Sequence, residues 1–114
     1  VVIDGLATNS RCSTEEIFGP MVTLHSFESD EEAIIIANET RYGLAGSVWT
    51  TDLERGERVA HGLDTGMVWV NTWLHRDLRV PFGGVKDSGL GREGGHWSLG
   101  FYSEATNICI MDEK

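Results

Sequence analysis

A carboxylate and an aromatic ring two residues apart carry the first chemical signal in this chain: Glu16 and Phe18, within Glu15-Glu16-Ile17-Phe18-Gly19-Pro20. A carboxylate accepts hydrogen bonds from both ribose hydroxyls of a dinucleotide, and a ring two residues on can wall a nicotinamide pocket. A capping turn accounts for the same residues, with Thr14 as N-cap, Glu15 and Glu16 beside a helix dipole and Phe18 in the core. A second signal lies in Asn71 to Arg79, where His75, Arg76 and Arg79 make a locally positive cluster in a chain of net charge −9. A guanidinium there can grip a carboxylate through two parallel hydrogen bonds, or pair with Asp77 or another surface acid at little gain. The glycines from Gly83 to Gly91 invite a phosphate-loop reading. Lys86 follows Gly83-Gly84 without the spacing of a P-loop, however, so backbone geometry is the better account of them.

These residues need a scaffold, and hydrophobic patterning predicts one. Met21 to Phe27 is apolar and β-prone, and Ser29-Asp30-Glu31-Glu32 supplies a capping box for a helix that ends between Asn38 and Thr40. Leu44 to Trp49 reads as a second strand, and Thr51-Asp52-Leu53-Glu54 caps a helix through Val59, Ala60 and Leu63 that Gly66 stops. Met67 to Asn71, continuously apolar, reads as a third strand covered on both faces. Strand, helix, strand, helix, strand implies parallel pairing with right-handed crossovers, an α/β class. After Asn71 a long glycine-rich loop leads to a short helix from Glu93 to Gly100 and a closing strand from Tyr102 to Ile110. Trp49 and Trp69 belong to the core on this reading, and Trp97 packs the last helix.

The 114 residues allow one core, and no apolar run approaches the roughly 20 residues of a membrane-spanning helix. The charge of −9, with only two lysines, argues against nucleic acid or an anionic membrane as partner. Cys12 and Cys109 lie far apart with neither metal-ligand nor redox spacing, so no metal is expected and a reducing cytoplasm is the expected location. Arg11 is placed to lower the pKa of Cys12, whereas Cys109 reads as core packing. The start at Val1-Val2-Ile3 has no initiator Met and no signal-like region, and reads as internal to a longer chain.

Together with Pro81-Phe82-Gly83-Gly84-Val85-Lys86-Asp87-Ser88-Gly89-Leu90-Gly91-Arg92-Glu93, the hexapeptide around Glu16 resembles the last quarter of the NAD(P)-dependent aldehyde dehydrogenases. The resemblance implies the parallel βαβαβ end of a catalytic domain over residues 1–101, followed by an oligomerisation strand and tail over 102–114. It places Glu16 on the ribose of NAD and Phe18 on its nicotinamide, with Gly19-Pro20 fixing the turn that aims them. NADP stays open, because the ribose contacts that separate the two lie largely upstream. It also places Arg92 within reach of Glu104 as an ion pair, and gives Glu93 either a proton-relay role or that of a solvated helix-start carboxylate.

In that family a thiolate adds to the aldehyde and a carboxylate base activates water. The nucleophilic Cys follows a Gly-Gln pair and the base lies in an upstream motif; neither motif is in this sequence. The isolated segment is therefore expected to be inactive. Trp73-Leu74-His75-Arg76-Asp77-Leu78-Arg79, Glu93-Gly94-Gly95-His96 and Phe101-Tyr102-Ser103-Glu104 most resemble the members acting on 2-hydroxymuconic and 2-aminomuconic semialdehydes. That implies a small carboxylated aldehyde held by Arg76, with Trp73 stacked on its conjugated chain, and a homo-oligomer. An autonomous α/β interaction module without catalysis is the alternative.

Overall fold

The computed structural model describes residues 1–112. At its centre two strands, β4 (Ala45–Val48) and β5 (Met67–Val70), pair in parallel with Ala45 opposite Met67 and Val48 opposite Val70. The helix α3 (Leu53–Gly62) connects them, the crossover that the apolar pattern predicts. Glycines set how closely α3 packs. A Cβ on the buried Gly56 would lie 2.9 Å from both Thr50 Cγ2 and Val70 Cγ1, and one on Gly62 would lie 2.7 Å from Ile34 Cδ1 of α2 (Asp30–Asn38).

Both helix starts follow local chemistry, with small shifts. Ser29 Oγ accepts from Glu32 N at 3.1 Å, but the Glu32 carboxylate reaches one residue further back than the box requires, accepting from Glu28 N at 2.7 Å. For α3 the N-cap is Asp52, whose carboxylate accepts from Arg55 N at 3.0 Å; Thr51 is displaced because the charged oxygen is the stronger acceptor. Arg55 then turns its guanidinium onto Asp30, joining the two helix starts and holding the Asp30 carboxyl below the usual range. The helix stops at Gly62, not at Gly66. The Asn38 side-chain amide donates to Gly62 O at 2.8 Å and its oxygen accepts from Asp64 N at 2.8 Å, which pulls the chain out of helical register.

Gly66 has another task. A Cβ there would fall 1.6 Å from the Gly83 carbonyl oxygen, so the glycine-rich loop crosses the start of β5 with no room for a side chain. The loop folds back as β6 (Val85–Lys86), antiparallel to β3 (Tyr42–Gly43), and Gly43 N donates to Ser88 Oγ at 2.9 Å.

Three further expectations change. The strand expected over 21–27 contracts to β2 (Val22–Thr23), which pairs in parallel with β1 (Val2–Ile3) and not with β4; Val1 O and Ile3 O take the amide hydrogens of Val22 and Leu24. Trp49 is 66% exposed: it alternates with exposed Ser47, to which its indole donates at 3.2 Å, on the face that α3 leaves bare. The last helix, α4, runs Gly95–Tyr102, two residues later than expected, and Ser103–Asp112 form no ladder. A strand exists only against a partner backbone, and this chain offers none to that segment, so Cys109 is exposed as well. The tail's last two positions, 113 and 114, lie outside the described residues.

The shape is open. The radius of gyration is 19.6 Å, against about 13 Å for a compact domain of this length. The accessible area is 9156 Å², against roughly 6,200 Å² for a compact protein of this mass. Trp69 is the one buried hydrophobic side chain among the described residues, at 7% exposure. That is too little core for the autonomous module considered above. The isolated chain is therefore expected to bind a hydrophobic dye and melt without a cooperative transition; a sharp calorimetric peak from a monomer would restore the module reading. Gly66→Ala in the full-length protein is expected to cost about 3 kcal/mol or more by denaturant titration, since the obstructing atom is backbone.

Candidate functional site

The turn at Glu16 is built by the short helix α1 (Arg11–Thr14), which ends where the capping alternative would have it begin. Its N-cap is Ser10, and Thr14 Oγ1 donates back to Ser10 O at 3.0 Å. Glu15 is the C-cap and is bound by Arg11 through two hydrogen bonds of 2.9 Å, which lower its pKa. Arg11 is thus committed to Glu15 and not to Cys12, which is exposed. Phe18 lies at φ 55°, in the left-handed region that a bulky residue rarely adopts, and its ring is 92% exposed. Such a conformation holds a ring away from the body of the chain. Glu16 is exposed too, bordering a cleft of about 520 Å³ with Thr40, Tyr42 and Ser88. Its carboxylate is in none of the ion pairs among the described residues. A carboxylate with both oxygens open and an outward ring two residues on suit a ribose diol and a flat aromatic base.

The loop after β5 starts from Asn71, at φ 54°. Its side chain replaces a rung of ladder: Oδ1 accepts from Thr50 N at 2.8 Å and Nδ2 donates to Thr50 O at 2.8 Å. Trp69 Nε1 donates to His75 O at 2.8 Å, and Trp73 meets Trp69 edge-on with ring centroids 4.9 Å apart. The loop therefore lies over the face of β5 that α3 does not cover. It borders a cleft of about 310 Å³ lined by Trp69, His75, Arg76, Val80 and Phe82 among others.

The two arginines differ in what they hold. Arg79 Nε bonds both Asp77 oxygens, at 2.9 and 3.0 Å, and holds the Asp77 carboxyl below the usual range, so Arg79 adds little to the positive cluster. Arg76 is not bound to Asp77. Its guanidinium lies 4.1 Å above the centre of the Phe82 ring, with Nη2 3.9 Å from Glu93 Oε1, beyond hydrogen-bonding range.

The Arg92–Glu104 pair is absent. Arg92 Nη1 donates instead to Gly84 O at 3.0 Å and Gly91 O at 2.7 Å, clamping the two ends of the glycine loop, while Glu104 is exposed beyond α4. A guanidinium already among carbonyls has no call on a distant carboxylate. The glycines serve geometry as expected: Gly91 is at φ 71°, and a Cβ on Gly84 would lie 2.6 Å from Ser88 Cβ.

The sequence model of the aldehyde dehydrogenase family matches residues 1–108. The chain belongs to the aldehyde dehydrogenase family. It is 54% identical to 2-aminomuconic 6-semialdehyde dehydrogenase of a Pseudomonas species, over 99% of this chain and 23% of that protein. It is 55% identical to 2-hydroxymuconic semialdehyde dehydrogenase of Pseudomonas putida, over 93% of this chain and 22% of that protein. The chain thus spans about a fifth of the length of these relatives. Among solved structures it superimposes on betaine aldehyde dehydrogenase from Staphylococcus aureus in complex with NAD+, with a TM-score of 0.85 and 44% identity. That match covers 89% of this chain and 20% of the other. An indole-3-acetaldehyde dehydrogenase complexed with NAD+ matches equally, with a TM-score of 0.85 and 44% identity over 90% of this chain and 21% of the other.

In this aldehyde dehydrogenase chain the patterning missed Asn71 as a clamp and Phe82 as a cation platform. Asn directly after an apolar strand is a readable sign of positive φ, whereas nothing local announces that Phe82 will meet an arginine six residues earlier. In the full-length protein Arg92→Ala is expected to cost about 1–3 kcal/mol, by loss of two charged hydrogen bonds, while Glu104→Gln stays within about 0.5 kcal/mol. Equal losses in thermal stability would reinstate the pair.

Proposed function

We propose that the chain is part of an NAD-dependent aldehyde dehydrogenase that oxidises a short carboxylated semialdehyde, of the 2-hydroxymuconic or 2-aminomuconic type, to the acid. The overall change is aldehyde, water and NAD+ to carboxylate, NADH and protons. Within it residues 1–101 supply the end of the catalytic domain and 102–114 the oligomerisation strand and tail. The nucleophilic thiol and the base come from the remainder of the enzyme, because neither Cys12 nor Cys109 follows a Gly-Gln pair and both are exposed. Bound NAD+ supplies the hydride acceptor. Glu16 receives the ribose hydroxyls in both oxygens, and Phe18 walls the nicotinamide side and excludes water from it.

The observation that carries the substrate class is Arg76. It faces a cleft beside Trp69 with none of the hydrogen bonds among the described residues on its guanidinium, while its neighbour Arg79 is paired with Asp77, so Arg76 keeps its full set of donors for an incoming carboxylate. Trp73, exposed on the same loop, offers a flat surface to a conjugated chain. The similarity to enzymes named for muconic semialdehydes supports the same reading. Glu93, exposed at the rim, is either a proton relay to solvent or a solvated carboxylate beside Arg76. The homo-oligomer pairs Tyr102 to Ile110 of one copy with the sheet of another, which would give that unpaired segment its ladder. A cytoplasmic location fits two cysteines without a disulfide, and no described helix is long and apolar enough to cross a membrane.

The test is NADH formation by the complete enzyme on 2-hydroxymuconic semialdehyde and on a neutral aldehyde of similar length. Arg76→Ala is expected to lower kcat/KM for the anionic substrate by about 10- to 100-fold, the value of a charge-assisted bidentate contact, and for the neutral one by far less. Equal losses on both would remove Arg76 from substrate recognition, and no preference in the parent enzyme would remove the substrate class.

A further inference from the structure

Phe82 and Glu93 are far apart in sequence for a loop, yet they form an isolated antiparallel bridge. Phe82 N donates to Glu93 O at 2.8 Å and Glu93 N donates to Phe82 O at 2.8 Å. A pair that exchanges both backbone bonds projects its two side chains to the same side. Arg76 is on that side, with its guanidinium 4.1 Å over the ring and one nitrogen 3.9 Å from the carboxylate.

The two contacts differ in kind. The ring attracts the guanidinium through the ring's own π face, with Cζ 4.1 Å from its centre, and such attraction takes up none of the N–H groups as a hydrogen-bond acceptor would. The Glu93 contact is about 1 Å longer than a charge-assisted hydrogen bond, and both side chains reach solvent, at 41% and 62% exposure. It neutralises Arg76 without taking its donors. The Arg79–Asp77 pair a few residues away shows what a committed pair looks like in the same loop, with three nitrogen–oxygen contacts of 3.0 Å or less.

We propose that Arg76, Phe82 and Glu93 form a preset carboxylate receptor, in which Phe82 orients the guanidinium and Glu93 is a tethered competitor that an incoming carboxylate displaces. The inference rests on the assignment of Arg76 to the substrate carboxylate and adds its regulation. Phe82 and Glu93 are positioning residues, acting through Arg76. Glu93 lowers affinity for anions while keeping the arginine solvated and in place when no substrate is bound. Without it the receptor would bind any small carboxylate, the acid product included, more tightly.

The experiment uses the complete enzyme with Glu93→Gln, Phe82→Leu, Arg76→Ala and the double variant Arg76→Ala/Glu93→Gln, each checked for an unchanged melting midpoint. Glu93→Gln is expected to shift the ratio of KM values by about two- to fivefold in favour of the anionic semialdehyde over the neutral aldehyde, the range of an exposed ion pair. Phe82→Leu is expected to shift it by about as much in the opposite direction. The Glu93→Gln shift should vanish when Arg76 is absent, which a purely structural role would not produce. Inhibition by acetate, measured against the neutral aldehyde, reads the receptor independently of substrate choice and should strengthen about two- to fivefold in Glu93→Gln. Unchanged acetate inhibition overturns the receptor, as does a fall in kcat that is equal for both aldehydes with KM ratios intact, the result that proton transfer by Glu93 predicts. If the parent enzyme prefers no anionic aldehyde yet acetate inhibition responds to Glu93→Gln, the substrate assignment fails and the receptor stands.

Discussion

The indole of Trp69 is the point on which the two halves of this chain depend. It sits on β5, the strand that α3 packs from the other side, and is the one hydrophobic side chain buried among the described residues. Its N–H fixes the loop at His75 and its ring receives Trp73. One residue thus joins the parallel pair to the segment that meets the substrate in the proposed function. Around it the packing tolerances come from glycine: Gly56 under α3, Gly62 against α2 and Gly66 beneath the Gly83 carbonyl. A side chain at Gly66 would meet backbone, and one at Gly56 or Gly62 would push on Thr50, Val70 or Ile34.

What was legible in the sequence was local. The starts of α2 and α3 could be read because a capping residue and the amide it serves lie three positions apart, and β5 because a continuous apolar run needs cover on both faces. The pairings of β1 with β2 and β3 with β6 could not, because two-residue ladders carry no side-chain signature and are decided by chain path. Trp49 was assigned to the core because it lies in an expected strand, but burial belongs to a neighbour, and the loop that covers Trp69 on that face leaves Trp49 exposed.

The same division runs through the candidate site. Glu16, Phe18 and Arg76 were singled out by residue type together with the family resemblance, and the structure leaves all three exposed. The roles of their partners were not found. Arg79 looked like a second open cation until Asp77, two residues before it, took its Nε–Nη2 edge. Arg92 looked like half of an ion pair until the glycine carbonyls on either side claimed it. In both cases an acceptor close in sequence took the guanidinium, since holding a long side chain toward a remote partner costs conformational entropy.

Asn71 separates what must stay constant from what can vary. Its amide copies the donor and acceptor of a backbone peptide, so the ladder with Thr50 is completed by a side chain while the main chain turns away at positive φ. The strand register is therefore closed before the loop begins. Past this point the main chain is free of the ladder, and the contacts of His75 and Trp73 with Trp69 tie the loop back to the sheet. The register of β4 and β5 can thus persist through changes in the loop that leave Asn71, Trp69 and Trp73 in place.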